Sequence, residues 1–187
     1  MSPRSGHQEA GAEDREDLGD LQRADLRLGG VLAAEEGVDG LGGDGDARAR
    51  LLELPGHAGP IGAALADRIR TLGVQKIVAP ALGGVIIGYT VAAALDLPFV
   101  FTERKDGLMT LRRGFQIGKG ERVAIVEDVV TTGGSSLLAI ERCEAAGLKV
   151  KRVLAIVDRL EGGREAFAAK GYELTTLLTI KDFGITH

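Results

Sequence analysis

The sequence has no tryptophan, one cysteine and only seven aromatic residues in 187 positions. The single cysteine, Cys143, excludes an internal disulfide, and no group of thiols or imidazoles is spaced to hold a structural zinc ion. His7, His57 and His187 stand alone, without partners at metal-ligand spacing. Every apolar run is shorter than ten residues, too short for a transmembrane helix. The opening Met1-Ser2-Pro3-Arg4-Ser5-Gly6-His7 lacks the apolar core of a secretory signal. Positive charge is also in short supply. Lys and Arg total 23 against 27 Asp and Glu, a net charge of −4, which argues against a protein that binds nucleic acid through a basic surface. The expectation is a cytoplasmic, water-soluble chain with no membrane and no nucleic-acid partner. Its length suits one domain, or one domain with an arm.

These scarcities are unevenly spread. All seven aromatics lie at or after Tyr89, the first isoleucine is Ile61 and the first lysine is Lys76. Residues 1–52 hold ten glycines, twelve acids and six arginines. Leu18, Leu21, Leu28 and Leu32 fall near helical spacing. Gly19, Gly29 and Gly30 interrupt that stripe, each costing about 1 kcal/mol against Ala in a helix. Gly37 to Asp46 has the composition of a loop. Three readings stay open for this stretch: a loosely ordered arm, an unusual functional hood, or a frame upstream of about residue 53 that is not the native one. A shifted frame in GC-rich DNA yields mostly Gly, Ala, Arg, Asp and Leu, as here. The chain thus divides into an atypical arm over 1–52 and a core domain over 53–187.

From Pro60 the pattern is that of an α/β protein. Ile61, Leu65 and Ile69 lie at i, i+4 and i+8 on one helical face, with Gly73 placed to cap that helix. The spacing predicts strands over Lys76–Pro80, Pro98–Thr102, Arg122–Val126, Val150–Asp158 and Glu173–Ile180. It predicts helices over Gly83–Leu95, Ser135–Ala146 and Gly163–Lys170. Strands alternating with helices predict a parallel twisted sheet flanked by helices. Such sheets take their ligands at the carboxyl ends of the strands.

The densest chemistry sits at one such end. Val123-Ala124-Ile125-Val126 runs into Glu127-Asp128, then Val129-Val130, then Thr131-Thr132-Gly133-Gly134-Ser135-Ser136 at a helix start. The acid pair can accept hydrogen bonds from vicinal sugar hydroxyls or lie near a hydrated Mg²⁺. The loop beyond offers converging backbone N–H groups, two glycines and several hydroxyls, a setting for a phosphate. Hydroxyl acceptors at one end and a phosphate cradle at the other imply a ribose 5-phosphate between them. The plainer alternative is an acidic turn before a capped helix.

This segment resembles the phosphoribosyl pyrophosphate (PRPP) signature of the type I phosphoribosyltransferases. Pro80-Ala81-Leu82-Gly83-Gly84 is similar to that family's pyrophosphate loop. Glu103-Arg104-Lys105-Asp106-Gly107-Leu108-Met109-Thr110-Leu111-Arg112-Arg113-Gly114-Phe115 resembles the mobile basic loop of orotate phosphoribosyltransferases; by itself it also reads as a solvated charged hairpin. Val157-Asp158-Arg159-Leu160-Glu161-Gly162-Gly163-Arg164-Glu165 resembles the strand-end segment whose arginine meets the orotate base.

The resemblance spans roughly residues 60–183. It implies the type I phosphoribosyltransferase fold, a homodimer, and transfer of ribose 5-phosphate from PRPP to orotate with Mg²⁺. Glu127 and Asp128 would face the ribose hydroxyls, and the loop from Val129 and Val130 through Thr131, Thr132, Gly133, Gly134 and Ser135 would wrap the 5-phosphate. Ala81, Leu82 and Gly83 would bind the diphosphate through backbone amides. Arg104 and Lys105 would neutralise the departing pyrophosphate, in part across the dimer, and with Asp128 they form the implied catalytic set. Thr131 and Arg159 would approach orotate. No direct protein metal site is implied: Mg²⁺ would be held through PRPP, with Glu127 and Asp128 nearby. Two departures stand out. Leu108 occupies a position where the family generally has a lysine, leaving Lys105, Arg112 or Arg113 to substitute. Residues 1–52 offer neither an aromatic nor a lysine to match the family's hood. A purine-type phosphoribosyltransferase and a non-catalytic PRPP-sensing regulator remain the alternatives.

Overall fold

The computed structural model describes residues 55–183. The arm read from residues 1–52, with its three readings, lies outside them, as do His7 and His187. The described chain runs α1 (Pro55–Asp67), a 3-10 turn (Arg70–Leu72), β1 (Lys76–Pro80), α2 (Gly83–Leu95), β2 (Phe99–Lys105), β3 (Leu108–Leu111), β4 (Arg122–Val130), α3 (Gly134–Ala145), β5 (Lys149–Asp158), α4 (Gly163–Ala169), β6 (Leu174–Thr179) and a last 3-10 turn (Ile180–Phe183). The six strands form one sheet in the order β3-β2-β1-β4-β5-β6. Neighbours are parallel except β2 and β3, which are antiparallel.

Each element follows from its residues. All five residues of β1 are buried, as a strand covered on both faces requires, and so are Val123 to Val126 of β4. Helix α2 turns Gly84, Ile87, Gly88, Val91 and Ala92 inward. A methyl group on Gly88 would lie 2.8 Å from the Phe99 ring and 2.9 Å from the Ala79 Cβ. The missing side chain is what lets α2 lie close on β1 and β2. The same device joins the first two helices, since a Cβ on Gly62 would lie 2.5 Å from the Thr90 hydroxyl. Beneath α3, a cluster including Val78, Ile125, Ile140, Cys143 and Phe167 fills the core. At the amino edge of the sheet, buried Lys76 donates to the Gln116 carbonyl at 2.8 Å and pairs with Glu121, which fastens the chain between β3 and β4 to the start of β1.

Three predicted boundaries need correction. The first helix begins at Pro55 and carries Pro60 inside it, and its α-helical part stops at Asp67. Arg68 and Ile69 then donate to Leu65 and Ala66, three residues back, so the coil tightens and Gly73, at φ +62°, closes a 3-10 turn. The predicted face holds nonetheless: Ile61, Leu65 and Ile69 are fully buried. Strand β4 continues past Val126 to Val130, because pairing with β5 carries on through Glu127, Val129 and Val130. Strand β2 likewise runs on to Lys105, extended by its antiparallel partner β3.

Cys143 is a packed core residue, and burial pushes its thiol from the ordinary 9.0 up to about 12. The fold therefore favours the neutral thiol. Its contribution to stability is intact below the ordinary thiol range and is lost as pH climbs toward 12. At about pH 8 a maleimide should label Cys143 only after denaturant is added. Fast labelling of the native chain would show that α3 does not seal this site.

Candidate active site

Three connections emerge at the carboxyl ends of β1, β4 and β5, and backbone hydrogen bonds lock them to the neighbouring strands. The Ala81 N–H donates to the Thr102 carbonyl at 2.7 Å. The Arg159 N–H donates to the Val130 carbonyl at 2.9 Å, and the Gly163 N–H to the Thr131 carbonyl at 3.0 Å. The β4–α3 and β5–α4 connections are thus joined at two points. Gly163 permits this contact, because a Cβ there would lie 2.4 Å from the Val130 side chain and 2.5 Å from the Thr131 carbonyl.

The loop Thr131 to Gly133 ends in a left-handed residue. Gly133, at φ +78°, is the N-cap of α3, and a Cβ on it would lie 2.9 Å from the Phe167 ring. No side chain caps α3, and no acid stands in its first turn. Thr132, Gly134 and Ser135 are exposed while Ser136 is buried. The positive end of the helix and its first N–H groups are therefore open to an anion. Helix α2 begins in the same way, with Leu82 at its N-cap, no side-chain cap and no acid in the first turn. The Ala81–Leu82 peptide is cis, and Leu82 is 86% exposed.

The acid pair connects these two helix starts. Glu127 and Asp128 are half-buried within the last turns of β4 pairing, inside the strand rather than just beyond it as the sequence reading had them. A Cβ on Gly83 would lie 2.7 Å from an Asp128 carboxylate oxygen. One on Gly84 would lie 2.6 Å from the Val126 carbonyl and 3.1 Å from a Glu127 carboxylate oxygen. The two glycines thus bring the start of α2 directly against both acids. Asp128 also accepts the Val129 N–H at 2.8 Å, which fixes its carboxylate at the loop.

The basic segment is an ordered hairpin. Asp106 and Gly107, at φ +51° and +80°, form the two-residue turn that joins β2 to β3. Arg104 lies opposite Met109 and Lys105 opposite Leu108, which is 70% exposed. Thr102 is the last residue of β2 in register with β1, so Arg104 and Lys105 lie beyond the sheet edge that carries the Ala81 loop. Both are exposed, and neither side chain has a hydrogen bond or ion pair with a described residue; nothing bonds them to the acid pair or the Thr131 loop. Arg112 and Arg113 are engaged: Glu103 accepts the Arg112 Nε at 2.6 Å, the Arg113 Nε at 2.8 Å and the Arg113 Nη2 at 3.0 Å. Hydrogen bonds from Arg113 and then Arg112 hold the Glu103 carboxyl down at about 2, so it is an anion throughout the physiological range. Of the three residues offered as substitutes for a lysine at position 108, Lys105 alone is not paired with Glu103.

At the end of β5 the pairing differs from the simple reading of Asp158-Arg159. Asp158 is fully buried and binds Arg164, with contacts of 3.1 Å from Nε and 3.0 Å from Nη2, and accepts the Leu160 N–H at 2.9 Å. Arg164 also donates to the Leu174 carbonyl at 2.9 Å, tying α4 to β6. The Arg159 side chain is 17% exposed and pairs with Glu161 at 2.8 Å. Arg164 and Glu103 escaped the sequence reading because their partners lie on different elements. Their only local signal was a charge of opposite sign within ten residues.

Two uncapped helix starts, an acid pair and a glycine-mediated contact between them, all at one edge of a mainly parallel sheet, define the type I phosphoribosyltransferase fold. The chain belongs to the phosphoribosyl transferase domain family, whose pattern matches residues 49–176. It is 46% identical over 119 residues to an orotate phosphoribosyltransferase of Thermotoga maritima, a match covering 64% of this chain and 63% of that one. It is 44% identical over 113 residues to an orotate phosphoribosyltransferase of Nitratiruptor sp., covering 59% of this chain and 56% of that one. The chain thus spans less than two thirds of either relative. Among solved structures, Mycobacterium tuberculosis orotate phosphoribosyltransferase in complex with 5-phospho-alpha-D-ribosyl 1-diphosphate superposes with a TM-score of 0.64 at 25% identity, covering 74% of this chain and 82% of that one.

The glycine contacts make a paired prediction. Gly84→Ala should lower stability by roughly 1–3 kcal/mol, because its methyl meets the backbone carbonyl of Val126. Gly134→Ala, with nothing nearer than 3.9 Å, should change stability by no more than about 0.5 kcal/mol. Thermal melting of the two variants checks both. Equal melting temperatures would refute the close approach of α2 to β4.

Proposed function

We propose that the chain transfers the 5-phosphoribosyl group of PRPP to orotate, giving orotidine 5′-phosphate and pyrophosphate, a step of pyrimidine nucleotide synthesis. The observation that supports this reading is the close approach of Gly83 and Gly84 to Asp128 and Glu127, which puts the uncapped start of α2 beside a pair of sugar-hydroxyl acceptors. Glu127 and Asp128 accept the ribose hydroxyls. The backbone from Val129 and Val130 through Thr131, Thr132, Gly133, Gly134 and Ser135 holds the 5-phosphate at the open start of α3. Ala81, Leu82 and Gly83 offer the diphosphate the open start of α2.

In the reaction the bond from ribose C1 to the diphosphate oxygen breaks, and the bond from C1 to the base nitrogen forms. The electron pair of the broken bond leaves with pyrophosphate. Positive charge grows on C1 and the ring oxygen while negative charge grows on the leaving group. The protein's work is positioning and charge stabilisation, without a covalent intermediate. Asp128 lies on the side of the growing positive charge. Arg104 and Lys105 stabilise the leaving group, Arg through a planar fork and Lys as a point charge. Arg159 supplies a guanidinium to the orotate carboxylate, exchanging or sharing its present partner Glu161, with Thr131 beside it.

Magnesium fits the donor set as a companion of the substrate. Two carboxylates cannot by themselves fill the six oxygen positions Mg²⁺ needs, so the ion would be held through PRPP oxygens and waters, with Glu127 and Asp128 nearby. The ion supplies charge neutralisation on the diphosphate. The reading includes a homodimer in the cytoplasm. Ile86 and Tyr89, half exposed or more on the outer face of α2, are the apolar positions that a second copy would cover.

Calorimetry with PRPP and Mg²⁺ should show binding, and a forward assay across orotate, uracil, adenine and hypoxanthine should show turnover with orotate alone. Asp128→Asn should lower kcat/KM roughly 10²-fold. Arg159→Met should raise the orotate KM with little effect on that for PRPP. Turnover with a purine base and none with orotate would move the chain to the purine branch. PRPP binding without turnover of any base would make it a sensor, and no PRPP binding would overturn the reading.

A further inference from the structure

We infer that Glu103 is a positioning residue: it ties Arg112 and Arg113 across the open end of the β2–β3 hairpin and so fixes where Arg104 and Lys105 project. This rests on the reading above, in which those two side chains meet the leaving pyrophosphate.

Glu103 is anchored through both its carboxylate and its backbone. Its carboxylate accepts three hydrogen bonds from two arginines and is only 16% exposed, while the Arg112 and Arg113 side chains are 42% and 56% exposed. Its carbonyl accepts the Thr110 hydroxyl at 3.0 Å, and Thr110 is its register partner in β3. The residue next in the chain is Arg104, and Lys105 follows on the same side of the strand as Glu103.

The backbone is shaped to make this tie. Arg113 stands at φ +79° and Gly114 at φ +73°, two left-handed residues in succession one residue past the end of β3. A left-handed conformation is unfavourable for arginine, and its two-pronged contact with Glu103 is what offsets it. Electrostatics points the same way. Between Glu103 and Arg113 there are four cations and two carboxylates, a net charge of +2. Without Glu103 the four cations of one short hairpin would repel, and the hairpin would open. With it, Arg112 and Arg113 are committed to a structural pair, and Arg104 and Lys105 are left for an incoming anion. The device also answers the leucine at position 108: the hairpin presents Lys105, directly across the ladder from it.

The test uses the full chain in three variants: Glu103→Gln, which keeps the shape and removes the charge, the pair Arg112→Gln with Arg113→Gln, and all three together. Hydrogen exchange without ligand should quicken about tenfold across residues 103–113 in every variant, with β4 and β5 unchanged, and the triple variant should be no faster than the double. In the forward assay the KM for PRPP should rise about tenfold and kcat per active site should also fall, since loosened cations hold the diphosphate less well and stabilise its departure less. A purely structural role would instead lower the active fraction and leave KM unmoved. Unchanged exchange in the hairpin overturns the tie, and faster exchange with an unchanged KM overturns the positioning role. If Glu103→Gln loses protection throughout the chain, the arginine pair carries the comparison. Failure of the wild-type chain to bind PRPP would overturn the proposed function, and exchange would still decide whether Glu103 holds the hairpin.

Discussion

Parallel pairing of β4 between β1 and β5 is the constraint from which the rest of the site follows. Because these three strands run the same way, their exits lie side by side on one edge of the sheet. A loop leaving β4 must turn back into α3 while one from β5 turns into α4, and the two meet at Thr131 and Gly163. The acids are held in the last rungs of the ladder, where the backbone is rigid. The anion-binding amides come just after it, where the backbone turns. A rigid acceptor and a shaped donor loop on consecutive residues suit a ligand with hydroxyls at one end and phosphate at the other.

Close approach of backbone is the second constraint, and around the site glycine meets it at four places. Gly83 and Gly84 let α2 reach the acid pair, Gly133 clears the Phe167 ring, and Gly163 clears Val130 and Thr131. At three of them the obstacle is backbone or a core side chain, which cannot give way cheaply in a close-packed interior. The 28 glycines of the chain thus serve different ends. Ten mark loose composition in residues 1–52; among the described ones, some such as Gly107 and Gly114 serve left-handed turns in open space, and others are fixed by neighbours that leave no room for a methyl group.

Elements built from local pattern were largely legible in the sequence. The bounds of β1 and α2 coincide with the predicted ones, since an unbroken apolar strand and a small-residue helix declare themselves. The errors fall where partners decide. Nothing local to Glu127-Asp128 says that β5 will continue the ladder past Val126; an acid pair alone reads as a turn. Pro60 looked like a beginning because proline favours a first turn, yet here it lies one and a half turns inside α1. The acid pair and the Gly-rich loops of the candidate site were readable from spacing. The Asp158–Arg164 pair and the Glu103 cluster were not, because sequence proximity favoured Arg159 and concealed a bond across strands.

The hairpin that carries the basic side chains also settles a different matter. A mainly parallel sheet exposes a row of unpaired amides and carbonyls along its outermost strand, and on this side that strand would be β2, with Phe99, Val100 and Phe101 in its first half. Beside Thr102 to Lys105, its second half, strand β3 instead forms the border, only four residues long, paired with Arg104 and Lys105 and followed by Arg112. A short border flanked by charge is a poor template for strand addition by another chain. Shortening the hairpin would therefore bare the Thr102 to Lys105 stretch of β2, and the loss would show first as self-association of the protein.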